Sequence, residues 1–155
     1  MSRVNFSTIS SEFVRNIEKS DTNHKQLELG WFSISHVFII AKIERRKSYG
    51  KWFKIQSNKR IIYRQLKFDP TLKGTGDNPE INLDWDGFIK LHDYEVNSNE
   101  NKIFCQIERA NCFEILFANL NHPNQGFRAA FILGLISLFI GIGSLVISLF
   151  QIKYS

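Results

Sequence analysis

The sequence predicts an α+β protein: a small β-rich antiparallel cytosolic domain with an N-terminal amphipathic helix, followed by one C-terminal transmembrane helix. Three observations carry this prediction. Apolar residues near the N-terminus recur at helical spacing, short runs rich in Ile, Val, Tyr and Phe follow between residues 36 and 109, and residues 129–150 contain no charged side chain. We divide the chain into a soluble β-rich binding domain over 1–121, a linker over 122–128, the membrane helix over 129–150 and a short tail over 151–155.

The first element is the predicted amphipathic helix. Phe6, Ile9, Phe13 and Ile17 follow one another at spacings of three, four and four, with polar residues between them, and this spacing places them on one helix face. We expect that face to pack on the domain's own sheet. A helix in the plane of a membrane is the alternative, but its polar face would carry more Lys and Arg.

Strands are predicted next, from short runs of β-branched and aromatic residues separated by Lys, Ser, Gly and Asn. The runs are HVFIIAKI at 36–43, YGKWFKIQ at 49–56 and RIIYRQLKF at 60–68. Their connections at 45–48 and 57–59 have the length of hairpin loops, so we expect antiparallel neighbours. The segment 69–80, with two prolines and two glycines, should be irregular.

A further hairpin is predicted around Asp86 and Gly87, because this dipeptide suits a type I′ turn and lies between INLDW and FIKLH. The run KIFCQIER at 102–109 is typical of a strand. The run CFEILFANL at 112–120 suits a last strand or a short helix, since short apolar runs have no decisive period.

Residues 129–150 are predicted to cross a membrane, because 22 residues of helix span roughly 33 Å and a hydrocarbon core is about 30 Å thick. Small residues within this run recur at spacings of four and three. Such a row lets helices approach closely in lipid, so we expect self-association or packing against a partner's helix. A pore lined by the serines is the sharper hypothesis. The predicted packing residues are Ala130, Gly134, Ser137, Gly141, Ser144 and Ser148.

The expected location is a membrane, with a single pass and the N-terminal domain in the cytoplasm, and a bacterial inner membrane is favoured. The N-terminal residues lack the apolar stretch of a secretory signal, which suggests a tail-anchored protein. Cys105 and Cys112 lie in no metal-binding or redox motif, and we expect both to be small buried apolar side chains.

Charge divides the predicted domain into a basic and an acidic half. Residues 42–73 hold 11 Lys and Arg against two acids, whereas residues 74–128 hold nine acids against four basic residues. Aromatic side chains are interleaved with the cations. We expect a basic-aromatic surface that binds an anionic ligand, formed by Lys42, Arg45, Arg46, Lys47, Lys51, Trp52, Lys54, Arg60, Arg64 and Lys67.

Four interpretations of this basic surface stay open. It is a solvated face, or it contacts anionic lipid headgroups, or it binds a nucleotide by phosphate contacts and base stacking. In the fourth, the basic half of one copy meets the acidic half of another. We expect the membrane and further copies of the chain as partners, and a nucleotide or an anionic lipid as possible ligand, but no long nucleic acid.

No catalytic residue, metal ligand or cofactor is predicted, and we expect no enzyme. The four histidines lie apart in unrelated contexts. His92, Asp93, Asp84 and Asp86 form the densest titratable cluster, but Asp84 is explained by an exposed strand position and Asp86 by the predicted turn.

In architecture, a compact cytosolic β-rich module joined to one span resembles the small bacterial membrane effectors of antiviral defence. This resemblance implies a sensor that binds a nucleotide messenger and perturbs or permeabilises the inner membrane. The alternative is a structural accessory subunit, or a tail-anchored adaptor, of a larger membrane complex.

Overall fold

The computed structural model describes residues 9–15, 27–39, 41–57, 60–74, 79–91 and 102–154. The chain forms two compact units, Met1–Ala118 and Asn119–Ser155. Six strands of the first unit form a closed barrel in the order β1-β5-β2-β4-β3-β6. The strands are β1 (Ile9–Arg15), β2 (Trp31–Ile34), β3 (Trp52–Ser57), β4 (Arg60–Phe68), β5 (Glu80–Leu83) and β6 (Lys102–Arg109).

The barrel is mixed, so the predicted all-antiparallel arrangement holds only in part. Four neighbouring pairs are antiparallel, including β3 with β4, as the sequence predicts. The pairs β1 with β5 and β2 with β4 are parallel. Parallel neighbours need a long crossover, and the chain between β2 and β4 supplies one through a helix and strand β3. Hairpin-length connections alone do not predict such a crossover.

The barrel interior follows the alternation of side chains along each strand. On β4, Ile62, Arg64 and Leu66 are buried while Lys67 is exposed. The three largest fully buried side chains are Phe13, Phe32 and Phe53, from three different strands. They form one core with ten isoleucines and leucines and one cysteine from the strands and the connecting segments: Ile34, Ile39, Ile55, Ile62, Leu66, Ile81, Leu83, Leu91, Ile103, Cys105 and Ile107.

The predicted N-terminal helix is wrong over residues 9–15, which form strand β1. Phe13 is fully buried and Ile9 packs against the core. A spacing of four residues is also an even number, so Ile9 and Phe13 share one face of a strand as well as of a helix. Pairing with β6 over residues 9–14 then decides for the strand. Phe6 and Ile17 lie outside the described residues.

The strand predicted over 36–43 is also wrong. His36–Phe38 form a single 3-10 turn, and Lys42–Ser48 form helix α1. The strand of this region lies earlier, at β2, which pairs on both sides with β4 and β5. With both neighbours of β2 in place, Phe38 and Ile39 reach the core as part of the connection instead. The predicted loop at 45–48 is the second half of α1.

The predicted hairpin at Asp86 and Gly87 is a helix, α2 (Trp85–Leu91). Asp84 begins it, because its Oδ1 atom accepts a hydrogen bond from the backbone N–H of Gly87 at 3.2 Å and its carbonyl accepts one from the N–H of Phe88 at 2.9 Å. An aspartate in this position satisfies N–H groups that a helix start leaves without partners. This cap outweighs the turn preference of the dipeptide.

The open choice at 112–120 is decided for a helix, α3 (Cys112–Leu120). Asn111 and Glu114 cap it reciprocally. The Asn111 Oδ1 atom accepts from the N–H of Glu114 at 2.9 Å, and the Glu114 Oε2 atom accepts from the N–H of Asn111 at 2.8 Å. This is a capping box, and its sequence signature lies one residue before the apolar run.

The second unit consists mainly of helix α4 (Gln125–Tyr154). Asn124 caps its first turn, since its Oδ1 atom accepts from the N–H of Phe127 at 3.2 Å. The stretch Gln125–Gln151 is long and apolar enough to cross a membrane, with a mean hydropathy of 2.6. The position of the predicted membrane helix is therefore supported, and the helix itself extends beyond 129–150 at both ends.

Candidate anion-binding surface

The residues of the predicted basic-aromatic surface fall into three groups in the fold. Arg64 and Trp52 are buried. Lys54 and Arg60 lie on the barrel wall and have partners there. The remaining cations lie on α1 or on the neighbouring ends of β3 and β4: Lys42, Arg45, Arg46, Lys47, Lys51 and Lys67. The structure thus brings together only part of the predicted set.

Arg64 lies inside the barrel, where its side chain is 4% exposed. Its Nε atom is 2.6 Å from Asp84 Oδ1, and its Nη2 atom is 2.7 Å from Asp86 Oδ2. Its Nη1 atom donates to the carbonyl of Tyr63 at 2.9 Å. All three guanidinium nitrogens therefore have protein acceptors, and Arg64 does not contribute to the surface that the sequence predicts.

Asp84 is the acidic centre of this buried cluster, which corrects its predicted exposed position. Its side chain has no exposed surface, and its Oδ2 atom accepts from the N–H of Gly30 at 2.9 Å. Gly87 leaves room for this cluster, because an added Cβ atom would clash with Asp84 Oδ1 and lie 3.1 Å from Arg64 Nε. The cluster joins β4, the end of β5 and the start of α2.

Trp52 and Lys54 also make contacts within the barrel unit and not with solvent alone. Trp52 is 7% exposed and packs with Ala110 and Ala118 in a second, smaller apolar cluster. The Lys54 Nζ atom is 2.6 Å from a carboxylate oxygen of Glu108 and 3.7 Å from one of Glu114. The hydrogen bond that Lys54 donates to Glu108 raises the pKa of Lys54, against a smaller opposing effect of burial. The positive charge of Lys54 is therefore balanced by the carboxylates of Glu108 and Glu114.

Arg60 lies far from α1, at the other end of β4 from Lys67. Lys67 follows Arg60 by seven residue steps of strand, about 23 Å at the usual rise per residue. The Arg60 Nη1 atom donates to the carbonyl of Lys90 on α2 at 3.4 Å. A single small ligand bound at α1 would not reach it.

Helix α1 carries the densest group of exposed cations in the described part of the chain. Lys42, Arg46 and Lys47 are exposed, and Arg45 is half-buried. Lys42 and Arg46 are four residues apart, so they point to the same side of the helix. Only Lys47 has a carboxylate partner in this helix, Glu44 Oε1 at 3.1 Å.

An aromatic pair lies at the C-terminal end of α1. The rings of Trp31 and Tyr49 are 6.0 Å apart between centroids, and Tyr49 is 53% exposed. Gly50 follows with a positive φ of 69° and donates its N–H to the carbonyl of Leu66 at 2.9 Å. This turn sets Tyr49 beside the ends of β3 and β4.

Two further exposed lysines flank this turn. Lys51 precedes β3, and its carbonyl accepts from the N–H of Leu66 at 3.0 Å, next to Lys67 on β4. We call the whole set the α1 surface, and it consists of Lys42, Arg45, Arg46, Lys47, Tyr49, Lys51 and Lys67.

The α1 surface pairs positive charge with an exposed ring, which suits a phosphate-bearing planar ligand better than a catalytic reaction. Trp31 is the residue that sequence reasoning missed. Its strand shows no alternation in burial, since Phe32, Ser33 and Ile34 are buried and Trp31 alone is half-buried, so no periodic signal in the sequence pointed to it. Within the described residues, no group of three His, Cys, Asp or Glu side chains is arranged to hold a metal ion.

The cysteines differ from each other, which corrects half of the sequence prediction. Cys105 is buried on β6 as expected, whereas Cys112 is exposed at the start of α3. Burial raises the pKa of the Cys105 thiol to about 12. Cys105 is therefore an unreactive core residue, and Cys112 is accessible to reagents.

The small residues of α4 form an open row. Ala130, Ser137 and the other predicted packing positions are all exposed, and an added Cβ atom at Gly134 or Gly141 would meet nothing within 4 Å. Two hydroxyls bond within the helix, Ser144 to the carbonyl of Ile140 and Ser148 to that of Ser144, both at 2.9 Å. Such bonds satisfy the hydroxyls without a second helix.

Comparison of the chain with protein-family models, with curated proteins and with solved structures finds no match.

Proposed function

We propose that this protein is a single-span, membrane-anchored sensor and effector without enzymatic activity. Its α1 surface binds an anionic ligand, in the simplest case a nucleotide messenger. Its helix α4 self-associates, and the assembly perturbs or permeabilises the membrane, as in bacterial antiviral defence. The observation that carries the proposal is the α1 surface: Lys42, Arg46, Lys51 and Lys67 form no ion pair among the described residues.

The contrast with the other cations of the barrel supports a binding role for α1. Lys54 and Arg64 both form ion pairs with carboxylates of the barrel, which is typical of cations that stabilise the fold. Lys42 and Arg46 of α1 instead face solvent, as does Tyr49. Clustered like charges repel each other, and an arriving phosphate relieves that repulsion with charge-assisted hydrogen bonds.

Ligand binding is tested with the full chain in nanodiscs of zwitterionic lipid, so that lipid charge does not compete. ATP and a fluorescent cyclic dinucleotide serve as probes. We expect salt-sensitive binding that weakens roughly tenfold or more in Arg46→Glu, because each lost phosphate contact reduces affinity and salt dependence. Arg109→Glu is the matched control, since Arg109 is an exposed arginine on β6, outside the α1 surface.

Equal affinity of Arg46→Glu and the natural chain would exclude α1 as the site. A second measurement in nanodiscs with anionic lipid distinguishes ligand sources. If the probes stop binding there while the protein shows no other change, lipid headgroups occupy the α1 surface.

Self-association of the chain is tested by measuring the mass of the purified protein in detergent, with and without the probes. A discrete homo-oligomer supports the effector. A monomer that aggregates without partners contradicts it and favours the accessory subunit of a larger membrane complex.

A further inference from the structure

Helix α3 has two apolar faces, although covering the barrel needs only one. Ile115 and Ala118 pack beside Trp52 on the barrel. On another side, Phe113 is 85% exposed, Leu116 42% and Phe117 56%. These three residues stand at helical positions i, i+3 and i+4, which form a continuous stripe. The outward stripe is not explained by the folding of the barrel.

The stripe is free of charge because the acid of α3 is turned elsewhere. The Glu114 carboxylate caps the helix through Asn111 and approaches Lys54 on the barrel wall. Phe117 touches the ring of Tyr63 edge-on, with centroids 6.1 Å apart, and this contact orients the ring while half of its surface stays exposed. An apolar stripe held in place in this way is typical of a contact surface.

The chain itself indicates what covers the stripe. Only residues 121–124 separate α3 from α4, and the five peptide steps from one helix to the next span at most about 18 Å. If α4 crosses a bilayer, the C-terminal end of α3 stays within reach of the headgroups, and the stripe contacts them in those orientations that turn it toward the bilayer. A lipid surface is therefore the partner that this short connection brings within reach of the stripe.

We propose that the outward stripe of α3, formed by Phe113, Leu116 and Phe117, inserts into the headgroup region of the bilayer that α4 spans. The contact resembles that of an in-plane amphipathic helix, whose apolar side chains lie at the boundary of headgroups and acyl chains. It depends on the membrane anchoring in the proposed function but not on anion binding at α1. It adds a second membrane contact to the one that α4 makes.

Cys112 is a natural probe for this contact, because it lies one turn before Leu116 and is exposed, whereas Cys105 is buried. The full chain is labelled at Cys112 with a fluorophore and reconstituted into phosphatidylcholine vesicles that carry a nitroxide near the headgroup. Flotation with the vesicles first verifies that α4 has inserted. We expect quenching by the nitroxide lipid to fall about twofold or more in Phe113→Ser/Leu116→Ser, since two serines remove the apolar contact.

Phe104→Ser is the matched control. Phe104 is 56% exposed and lies on the barrel wall of β6, opposite Glu12 of β1, so its loss should leave the quenching unchanged. Continued protection of Cys105 from the label shows that each variant is folded.

Three results would overturn the proposal. The first is a label that is quenched by iodide in water but not by the nitroxide lipid. The second is undiminished lipid quenching in the double serine variant. The third is energy transfer between labels of different copies that disappears in that variant, which would assign the stripe to a second copy of the chain. Failure of the vesicles to carry the protein on flotation contradicts membrane anchoring instead.

Discussion

The barrel and helix α4 are both rich in apolar residues, but the barrel buries these side chains whereas α4 exposes them. In the barrel, Phe13, Phe32 and Phe53 have no exposed surface. In α4, the most apolar stretch has no buried residue, and Phe139 is 70% exposed. The barrel therefore obtains its hydrophobic stabilisation within one chain, whereas α4 requires lipid or another helix to supply it. Helix α3 combines both arrangements, one on each face.

Polar groups divide in the same way. The barrel buries an ion cluster in which Arg64 and Asp84 satisfy each other and nearby N–H groups. In α4 the hydroxyls of Ser144 and Ser148 bond to carbonyls of their own helix. One region thus depends on tertiary contacts for its polar groups, and the other does not. Substitutions in the barrel should therefore change its stability, and substitutions in α4 should change assembly instead.

The largest effect is expected in the buried cluster. Asp84→Asn should lower the free energy of unfolding of the barrel by about 3–5 kcal/mol, because it leaves the buried Arg64 charge without its main partner. Denaturant titration in detergent, followed by tryptophan fluorescence, measures the change. Asp86→Asn is the control, since the Asp86 side chain is 33% exposed, and should cost about 1 kcal/mol or less. Equal effects would mean that the cluster is not buried.

A smaller loss is expected from Gly87→Ala. The new methyl group would meet Asp84 Oδ1 and Arg64 Nε, and such overpacking typically costs about 1–3 kcal/mol. The same denaturant titration applies. For comparison, Gly126→Ala places a methyl group 3.4 Å from its nearest neighbour, Asn124 Oδ1, and should leave barrel unfolding unchanged. If Gly87→Ala has the same free energy of unfolding as the natural chain, the close packing of α2 against Asp84 and Arg64 is contradicted.

In α4 we expect a change in assembly without any change in barrel stability. Gly141→Ile should disrupt the proposed homo-oligomer, because Gly141 belongs to the row of small residues, and Gly143→Ile should disrupt it less. Both glycines are open within their own chain, so neither substitution strains the monomer. Mass measurement in detergent compares them. If the two variants behave alike, the assignment of the packing face is wrong.

The smallest perturbation uses the two cysteines. Between about pH 7 and 9 Cys112 should be alkylated, because its side chain is exposed and the reagent reaches it. Cys105 should remain unreactive over that range, because burial raises its pKa to about 12 and keeps the thiol protonated below that value. Mass spectrometry after timed alkylation follows both sites. Rapid labelling of Cys105 in the folded protein would show that the barrel opens locally.

Sequence patterns predicted those elements whose apolar residues fit only one type of secondary structure. Strands β3, β4 and β6 lie where their β-branched and aromatic runs place them. Helix α4 covers the predicted apolar run. For these segments the local pattern and the tertiary environment agree, so nothing in the fold overrides the pattern.

The wrong predictions share one physical cause, which is that a local pattern fits two structures. The even spacing of Ile9 and Phe13 fits a strand as well as a helix, and pairing with β6 decided between them. The Asp86-Gly87 dipeptide fits a turn, but the Asp84 cap started a helix there. The predicted basic-aromatic surface forms only in part for a similar reason, because charge density along the chain does not show that Arg64 points inward.

By itself the sequence determined that one helix near the C-terminus suits a membrane and that a basic region precedes an acidic one, because length, apolarity and charge are properties of the chain. Only the tertiary structure decided which cations are neutralised and which face solvent. Closing six strands into a barrel fixes the inward or outward direction of every side chain through strand register. That closure put Arg64 against Asp84 in the interior and left the cations of α1 outside.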